Sequence, residues 1–434
     1  MNTPDPITAD PPHALPLVVG RHVEEAALLC VQRLFLVRAA HVRLHQLRRL
    51  DDRLAAHLDG LSVAGPAGAA LAQRALADAG RGEMFAAVAL SLERRDGRAL
   101  DGLLAVAEAL PQTQEAVVWA LGWASAASLR GVTRDLLASA SAFHRRLGLA
   151  ACAMHRVDPG AFLPPALEDD DEALCMQALR SAGEGGRTDL LPACLARMRQ
   201  GGVPTRYAAA RAALLLGEHG PAAQVLGELV AGPALLGQPE RSAALQLALR
   251  VLPARQAAPV LQAVRDSPGG LAEAVRAVGH LGDPHFAPWL IERMDDPALA
   301  RAAGEGFSLL TGADLAALDL EGPQPQGFEG GPDDDPEDDA IDSDADDGLP
   351  WPAPARVHAW WQAHAAGFVP GGRYFMGAQP SAGHAARVLR EAAQRQRIAA
   401  AEWLCLLRPG TPLFNTAAPA WRQQRWLDAM DGPA

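Results

Sequence analysis

The 434-residue chain contains no lysine, so all 39 of its basic residues are arginines. Aromatic residues make up only 5% of the chain although 49% of it is hydrophobic, because alanine and leucine fill most apolar positions. Strand-forming valine, isoleucine, threonine, tyrosine and phenylalanine are sparse, and no stretch alternates apolar and polar residues over a strand length. Alanine and leucine are strong helix formers. The sequence therefore predicts an all-α fold.

The chain also lacks any run of 18 apolar residues, the length that a typical transmembrane helix needs. The first residues carry no basic region, and Pro16 breaks their short apolar run, so they do not fit a signal peptide. An odd number of widely separated cysteines in apolar helical contexts predicts buried free thiols in a reducing compartment. They are Cys30, Cys152, Cys175, Cys194 and Cys405. We therefore expect a soluble cytoplasmic protein.

The net charge of −12 is concentrated in one segment. Ten acids and no base lie between Asp333 and Asp347, so the rest of the chain carries only −2. A deficit of basic charge argues against a nucleic-acid partner. The acidic run predicts a solvated linker, with a docking strip for a basic protein as an alternative. The candidate partner-binding acids are Asp333, Asp334, Asp335, Glu337, Asp338 and Asp339.

The central part of the chain repeats a helix-turn-helix pattern with a period of roughly 30 residues. The pattern is clearest at residues 271–310, LAEAVRAVGHLGDPHFAPWLIERMDDPALARAAGEGFSLL, where Asp283-Pro284 and Asp296-Pro297 separate three helical segments. Aspartate can cap the next helix, and proline at its first turn needs no N–H donor. Hairpins are predicted to begin near Glu83, Pro111, Ser141, Asp170, Pro204, Pro239 and Ser267, with a capping helix after Pro297.

A single hairpin cannot bury its apolar stripe, so neighbouring hairpins are expected to stack into a curved solenoid with a continuous core and a concave surface. Residues 277–284, AVGHLGDP, with Pro288 and Leu290, resemble the short HEAT-like repeat first noticed in phycobilisome lyases. The resemblance covers about 220 residues, from Glu83 to about Leu310. It implies a HEAT-like helical-hairpin solenoid.

The two ends differ from the repeats. Residues 18–58 read as two amphipathic helices, and a helical stretch is predicted from Ala382 to Arg408 with a closing helix near Trp421. Six of the nine tryptophans follow residue 350, which favours a small helical module with its own core or binding face. The predicted divisions are a disordered N-terminus (1–16), a helical cap (17–82), the solenoid (83–320), an acidic linker (321–350) and a tryptophan-rich module (351–434).

Short phrases along the whole chain resemble a proteobacterial family of HEAT-like repeat proteins that are often encoded beside type VI secretion genes. The phrases are HVEEAALL and LDDRLAAHLDGL near the start, then LPWP, WW, PLF, APA and RQ near the end. The resemblance implies a non-catalytic protein-binding scaffold or adaptor, an accessory of bacterial type VI secretion that binds a secretion component or effector. It supplies no catalytic residue and no cofactor.

Three local patterns suggest binding sites. The run from Asp342 has the spacing of a calcium loop only in part, because Asp347 and Ala353 hold the positions of the required glycine and glutamate. His41 and His45 stand one helical turn apart, as zinc ligands do, but surrounding arginines oppose a cation. Neither pattern supports a metal site. The adjacent Trp360 and Trp361 point about 100° apart on a helix, so one can fill a core while the other contacts a partner.

No phosphate-binding loop, nucleophile elbow or C-x-x-C pair occurs, so the sequence gives no reason to expect an enzyme. Two alternative functions stay open. One is a lyase-type enzyme that holds a small molecule, by analogy with the HEAT-like lyases. The other is a nucleic-acid binder that uses an arginine patch, although the patch lacks aromatic residues for base stacking. That patch comprises Arg43, Arg48, Arg49 and Arg53.

Overall fold

A computed structural model describes residues 15–78, 80–233, 235–326, 328 and 346–430. Within these ranges the chain forms 22 α-helices joined by short connections. The only β-type contacts found there are three isolated antiparallel bridges. The predicted all-α class is confirmed. None of the helices in these ranges is both long and apolar enough to cross a membrane.

Three helices precede the repeats: α1 (Pro16–Leu36), α2 (Leu44–Val63) and α3 (Gly65–Ala75). Proline suits the first position of α1 because its φ angle is preset and its missing N–H has no helical partner there. Gly65 has a φ of 58°, which lets the chain turn directly from α2 into α3. The sequence predicted the first two of these helices and missed the third.

Seven helical hairpins and one further helix follow. The first helix of each hairpin begins within three residues of its predicted start. The elements are α4 (Arg81–Arg94) with α5 (Gly97–Ala109), α6 (Gln114–Trp123) with α7 (Val132–Leu137), α8 (Ala142–His155) with α9 (Leu163–Ala166), α10 (Glu172–Glu184) with α11 (Leu191–Gln200), α12 (Val203–Leu215) with α13 (Pro221–Ala231), α14 (Gln238–Val251) with α15 (Ala254–Arg265), α16 (Gly270–Leu281) with α17 (Ala287–Arg293), and α18 (Ala300–Thr311).

Aspartate side chains cap helices where the repeat pattern places them. The Asp171 carboxylate accepts a hydrogen bond from the backbone N–H of Leu174 at 2.8 Å and starts α10. Asp283 accepts one from the N–H of His285 at 2.9 Å, in the turn that leads into α17. Each bond satisfies a donor that the helix itself leaves without a partner. Local sequence signals therefore set where these helices begin.

The first helices pack side by side in one row, which we call the first-helix row; it comprises α1, α4, α6, α8, α10, α12, α14, α16 and α18. Glycine permits the closest approaches. A Cβ atom at Gly183 of α10 would lie 2.6 Å from the Cα of Ala212 in α12. A Cβ at Gly279 of α16 would lie 2.6 Å from the carbonyl oxygen of Gly306 in α18. The helices therefore touch through their backbones at these points.

Four helices follow the acidic segment: α19 (Pro354–His364), α20 (Ala382–Glu391), α21 (Gln394–Leu407) and α22 (Ala420–Met430). The prediction of one continuous helical stretch from Ala382 to Arg408 was wrong. Ala392 and Ala393 are extended, and the N–H of Gln394 donates to the carbonyl of Val42 at 2.8 Å. This tertiary contact satisfies a backbone group at the break.

The helices after residue 381 pack on the repeats. Ala399, Leu404 and Cys405 of α21 belong to the same buried cluster as Leu214 of α12 and Leu249 of α14. A second large cluster joins α1 and α2 to the first two hairpins, and a third joins α16, α17 and α18 to α19. The sequence predicted one continuous core, whereas the buried residues form three large clusters.

The two ends of the first-helix row come together. The Arg43 guanidinium, at the start of α2, pairs with the Asp314 carboxylate just after α18 at 2.7 Å. Arg395 of α21 lies between the same ends, because it donates to the carbonyl of Arg38 at 3.1 Å and pairs with Glu305 of α18 at 2.9 Å. The row is therefore closed by contacts between the segments that adjoin its first and last helices.

Candidate functional site

The carboxyl ends of the first helices hold residues 373–430, which we call the return segment. The N–H of Tyr374 donates to the carbonyl of Gly282 after α16, at 2.7 Å, and the N–H of Leu413 donates to the carbonyl of Glu184 in α10, at 2.8 Å. Arg422 donates to the carbonyl of Gly122 in α6 at 2.6 Å. The segment therefore runs back along the row from its last helices to its first.

Glu184 lies at the centre of a buried group of charges beside the return segment. Its carboxylate accepts from Arg156 at 3.0 Å, Arg180 at 2.9 Å and Arg211 at 3.3 Å. Burial alone would raise the pKa of Glu184, but the three guanidinium groups outweigh it and hold the pKa well below the usual value. Glu184 is therefore charged and binds three neighbouring helices together.

Glu402, on α21, continues this group towards the later repeats. It pairs with Arg250 of α14, whose side chain is only 1% exposed, and lies 3.8 Å from Arg211. Arg250 also donates to Nδ1 of His280 in α16 at 3.0 Å. Burial and the positive charge of Arg250 hold the pKa of His280 well below 6.5, so its imidazole is neutral.

Glu305 of α18 pairs with Arg276 at 2.8 Å and with Arg395 at 2.9 Å, and Arg276 also pairs with Asp346. We call the whole series the ion ladder. Each of its carboxylates has an arginine partner, and the described residues contain no group of three or more metal-binding side chains that could hold an ion. The arrangement can hold the return segment to the row. Its members are Arg156, Arg180, Glu184, Arg211, Arg250, Arg276, Glu305, Asp346, Arg395 and Glu402.

A second buried ion pair fixes the far end of the return segment. The Asp51 side chain is fully buried in α2 and accepts from Arg33 of α1 at 2.6 Å. The same carboxylate accepts from the backbone N–H of Ala420 at 2.6 Å, while Arg33 donates to the carbonyl of Ala417 at 3.0 Å. Asp51 and Arg33 therefore anchor the start of α22 to the N-terminal helices.

The five cysteines are all buried and free, as the sequence predicted. Burial raises the pKa of Cys30, Cys194 and Cys405 to about 12 in each case. A thiol with such a pKa stays protonated at neutral pH, and only the thiolate is a good nucleophile or metal ligand. The cysteines therefore act as apolar packing residues here.

Trp360 and Trp361 both lie on α19 and are both half-buried. Their rings meet Phe307 of α18 edge-on, with centroids 5.8 and 6.2 Å apart. Trp360 also stacks on His364 with a centroid distance of 4.1 Å, and Trp361 contacts Phe368. Both rings therefore pack against the same buried side chain, Phe307. Their role in partner binding stays a prediction.

The six acids proposed as a docking strip, from Asp333 to Asp339, lie outside the described residues. Two backbone hydrogen bonds join the described chain on either side of the acidic run. The N–H of Gly322 donates to the carbonyl of Trp351 at 2.7 Å, and the N–H of Ala353 to that of Leu320 at 2.8 Å. Residues 320–322 and 351–353 therefore lie side by side next to α18.

Aromatic rings and a shallow groove surround that place. The Arg301 guanidinium lies 4.7 Å from the ring of Trp351 and 5.1 Å from that of Phe328. Next to them, α17 and α19 border an open groove of about 420 Å³ that mixes apolar and acidic side chains. The groove is lined by Pro288, Ile291, Glu292, Asp295, Pro354 and His358. Such a mixture suits a protein segment with basic and apolar residues.

No known protein family, curated protein or solved structure matches the chain.

The histidine and arginine patterns singled out from the sequence are dispersed. His41 precedes α2, which begins at Leu44, and its ring contacts the carbonyl of Asp347 at 3.2 Å. His41 and His45 therefore do not share a helix, and that basis for a zinc site fails. In the arginine patch, Arg43 pairs with Asp314, and Arg48 pairs with Asp52 at 3.0 Å, so part of its charge is neutralised.

Proposed function

We propose that this protein is a non-catalytic scaffold or adaptor that binds another protein through an outer surface beside the acidic run. We name that surface the aromatic corner and define it by Phe328, Trp351, Trp360, Trp361 and the groove between α17 and α19. The observation that carries the proposal is the position of the return segment. Because it covers the carboxyl ends of the first helices, that side of the row is occupied by the protein itself.

The chemistry of the aromatic corner favours a basic partner. Glu292 and Asp295 line the groove, and the run of ten acids lies in the sequence between Gly322 and Trp351, which are hydrogen-bonded to each other. Acidic charge attracts a basic surface at long range, while tryptophan supplies contact area once the partner has docked. The association rate should therefore fall steeply as the salt concentration rises.

We further propose that the partner is a component or effector of a bacterial type VI secretion system. The support for this step is the resemblance of the short phrases between residues 22 and 61 and between residues 349 and 423. The same resemblance, to an accessory of secretion, also leads us to propose that the complex forms in the cytoplasm.

The test is complex formation between the purified full-length protein and each purified product of its own gene neighbourhood. We expect one of them to form a stoichiometric complex in size-exclusion chromatography with light scattering. Replacing the acids from Asp333 to Asp339 by their amides should weaken that complex at least tenfold, which corresponds to about 1.4 kcal/mol. The control replaces the exposed Asp101 and Glu168 in the same way and should leave the affinity unchanged.

Two results would count against this proposal. If no neighbourhood product binds, the scaffold function is wrong. If a partner binds equally well to the amide variant and to wild type, the acidic run is not the docking element. A chromophore or other small molecule that copurifies with the protein would favour the lyase-type enzyme instead.

A further inference from the structure

Two histidines from different helices meet at the N-terminal end of the row. His22 lies on α1 and His57 on α2, and their Nδ1 atoms are 3.1 Å apart. The ring centroids are 5.2 Å apart, and the ring planes make an angle of 63°. The two residues are 35 positions apart in the chain, so no short sequence motif announces the pair.

The distance between the two nitrogens suits a shared metal ion. Imidazole nitrogens bind Zn²⁺ at about 2.0–2.1 Å, so two of them are about 2.9 Å apart at a right angle and about 3.3 Å apart at the tetrahedral angle. The observed 3.1 Å lies between these values. Imidazole is a preferred ligand of Cu²⁺, Ni²⁺ and Zn²⁺, whereas Mg²⁺ and Ca²⁺ prefer oxygen ligands.

The packing of α1 on α2 fixes the position of the pair. Gly60 of α2 leaves the room that the His22 ring occupies, because a Cβ atom there would lie 2.8 Å from the ring atoms Cε1 and Nε2. The neighbouring residues Val23 and Leu58 are buried in the core that α1 and α2 share. Each imidazole is therefore carried by a helix whose position is set by packing, and is only partly exposed.

Nearby charges act on the pair in opposite directions. The Glu25 carboxylate, one turn after His22 on α1, favours a positive charge at His57, and the Arg53 guanidinium on α2 disfavours it. Glu25 is itself 3.4 Å from Arg21. No third metal-binding side chain joins the pair to make a larger group within the described ranges, so water must fill the other coordination positions.

We propose that His22 and His57 together bind one divalent transition-metal ion, Cu²⁺, Ni²⁺ or Zn²⁺, and that the ion links α1 to α2. The competing account of the same geometry is a direct N–H···N hydrogen bond between two neutral rings. The two accounts differ in one respect that can be measured. A metal site binds ions with a definite stoichiometry, and a hydrogen bond does not.

The test is calorimetric titration of the metal-free full-length protein with Ni²⁺ and Zn²⁺ at neutral pH, with Mg²⁺ as the reference ion. We expect one ion per chain for Ni²⁺ and Zn²⁺ and no binding of Mg²⁺. His22→Gln and His57→Gln should each weaken binding at least tenfold, about 1.4 kcal/mol, and the double variant should be no weaker than either single variant. Because each variant loses the pair, the effects should not add.

Two further variants separate a metal site from a merely structural pair. His45→Gln changes an exposed histidine on the same helix and should leave the affinity unchanged. Arg53→Gln removes an opposing charge and should strengthen binding, a gain that a structural role would not produce. The proposal is overturned if the wild-type protein binds neither ion at roughly millimolar concentration, or if both histidine variants bind as well as wild type.

Discussion

The repeated hairpins are held mainly by apolar packing, whereas the return segment adds buried charges and long-range backbone hydrogen bonds to its apolar packing. In the hairpins, buried alanine and leucine side chains such as Ala244, Leu245 and Ala248 pack against neighbouring repeats. In the return segment, buried charges and backbone groups join residues far apart in the chain, such as Ala420 and Asp51, which are 369 positions apart. Apolar packing is tolerant of exchange, whereas a buried charge that loses its partner is costly.

This comparison predicts that the largest loss of stability follows the removal of a buried charge that several partners share. Glu184→Ala removes the shared partner of Arg156, Arg180 and Arg211 and leaves the guanidinium groups of Arg156 and Arg211 largely buried. We expect the free energy of unfolding to fall by about 3–5 kcal/mol. Chemical denaturation, monitored by circular dichroism, measures this free energy.

The matched control for this change is Glu168→Ala, which removes an exposed carboxylate near the end of α9. It should change the free energy of unfolding by less than about 0.5 kcal/mol. If Glu184→Ala costs no more than the control, the buried charges beside the return segment do not stabilise the fold, and apolar packing alone does.

The next largest loss of stability should come from a cavity in the apolar core of the hairpins. Leu245→Ala empties a fully buried position in α14 and should lower the free energy of unfolding by about 3 kcal/mol, through lost burial and the cavity left behind. Leu235→Ala, at a position that is 64% exposed, is the control. Hydrogen exchange should show the loss of protection around α14 and α16 first. Equal loss across the return segment would remove the proposed distinction between the two regions.

Acid should loosen the contacts of the return segment. Burial, together with the nearby Arg422, lowers the pKa of His155 to about 4. Between the unfolded value of 6.5 and this value the unfolded chain binds a proton that the folded chain does not, so stability falls as the pH falls. For His155 the loss should be about 2 kcal/mol at about pH 5, the most that one such shift allows there.

Denaturant titrations at neutral pH and near pH 5 measure this dependence. His155→Gln removes one titrating group and should make the change smaller, while His45→Gln, at an exposed position, should leave it as in wild type. A wild-type stability that does not change over this range would contradict the assignment of a neutral, half-buried His155.

The smallest loss of stability should come from removing a single helix-capping side chain. Asp171→Ala removes the side chain that accepts the Leu174 N–H at the start of α10, and should cost about 1 kcal/mol. Asp170→Ala, one residue earlier and exposed, should have no measurable effect. The thermal midpoints of the two variants provide the comparison. If they coincide, the cap does not contribute and α10 is set by packing alone.

Some features were predictable because their signals are local. Asp171 and Asp283 cap helices within a few residues of themselves, and the close approach at Gly279 occurs in the phrase that resembled a HEAT-like repeat. The break at Ala392 and Ala393 was not predictable, because alanine favours a helix and the extended form is held by tertiary contacts such as that with Val42. The pairing of His22 with His57 was not predictable either, because the two residues are 35 positions apart and meet only through the packing of α1 on α2.

By itself, therefore, the sequence determined the helical class, the repeat period and the starts of the first helices, since caps, turns and apolar spacing act within one hairpin. Only the tertiary structure decided that the return segment covers the row, that Glu184 and Asp51 are buried partners, and that Arg43 reaches Asp314. Those contacts depend on the small rotation between successive repeats, which accumulates along the row and which no local pattern of residues specifies.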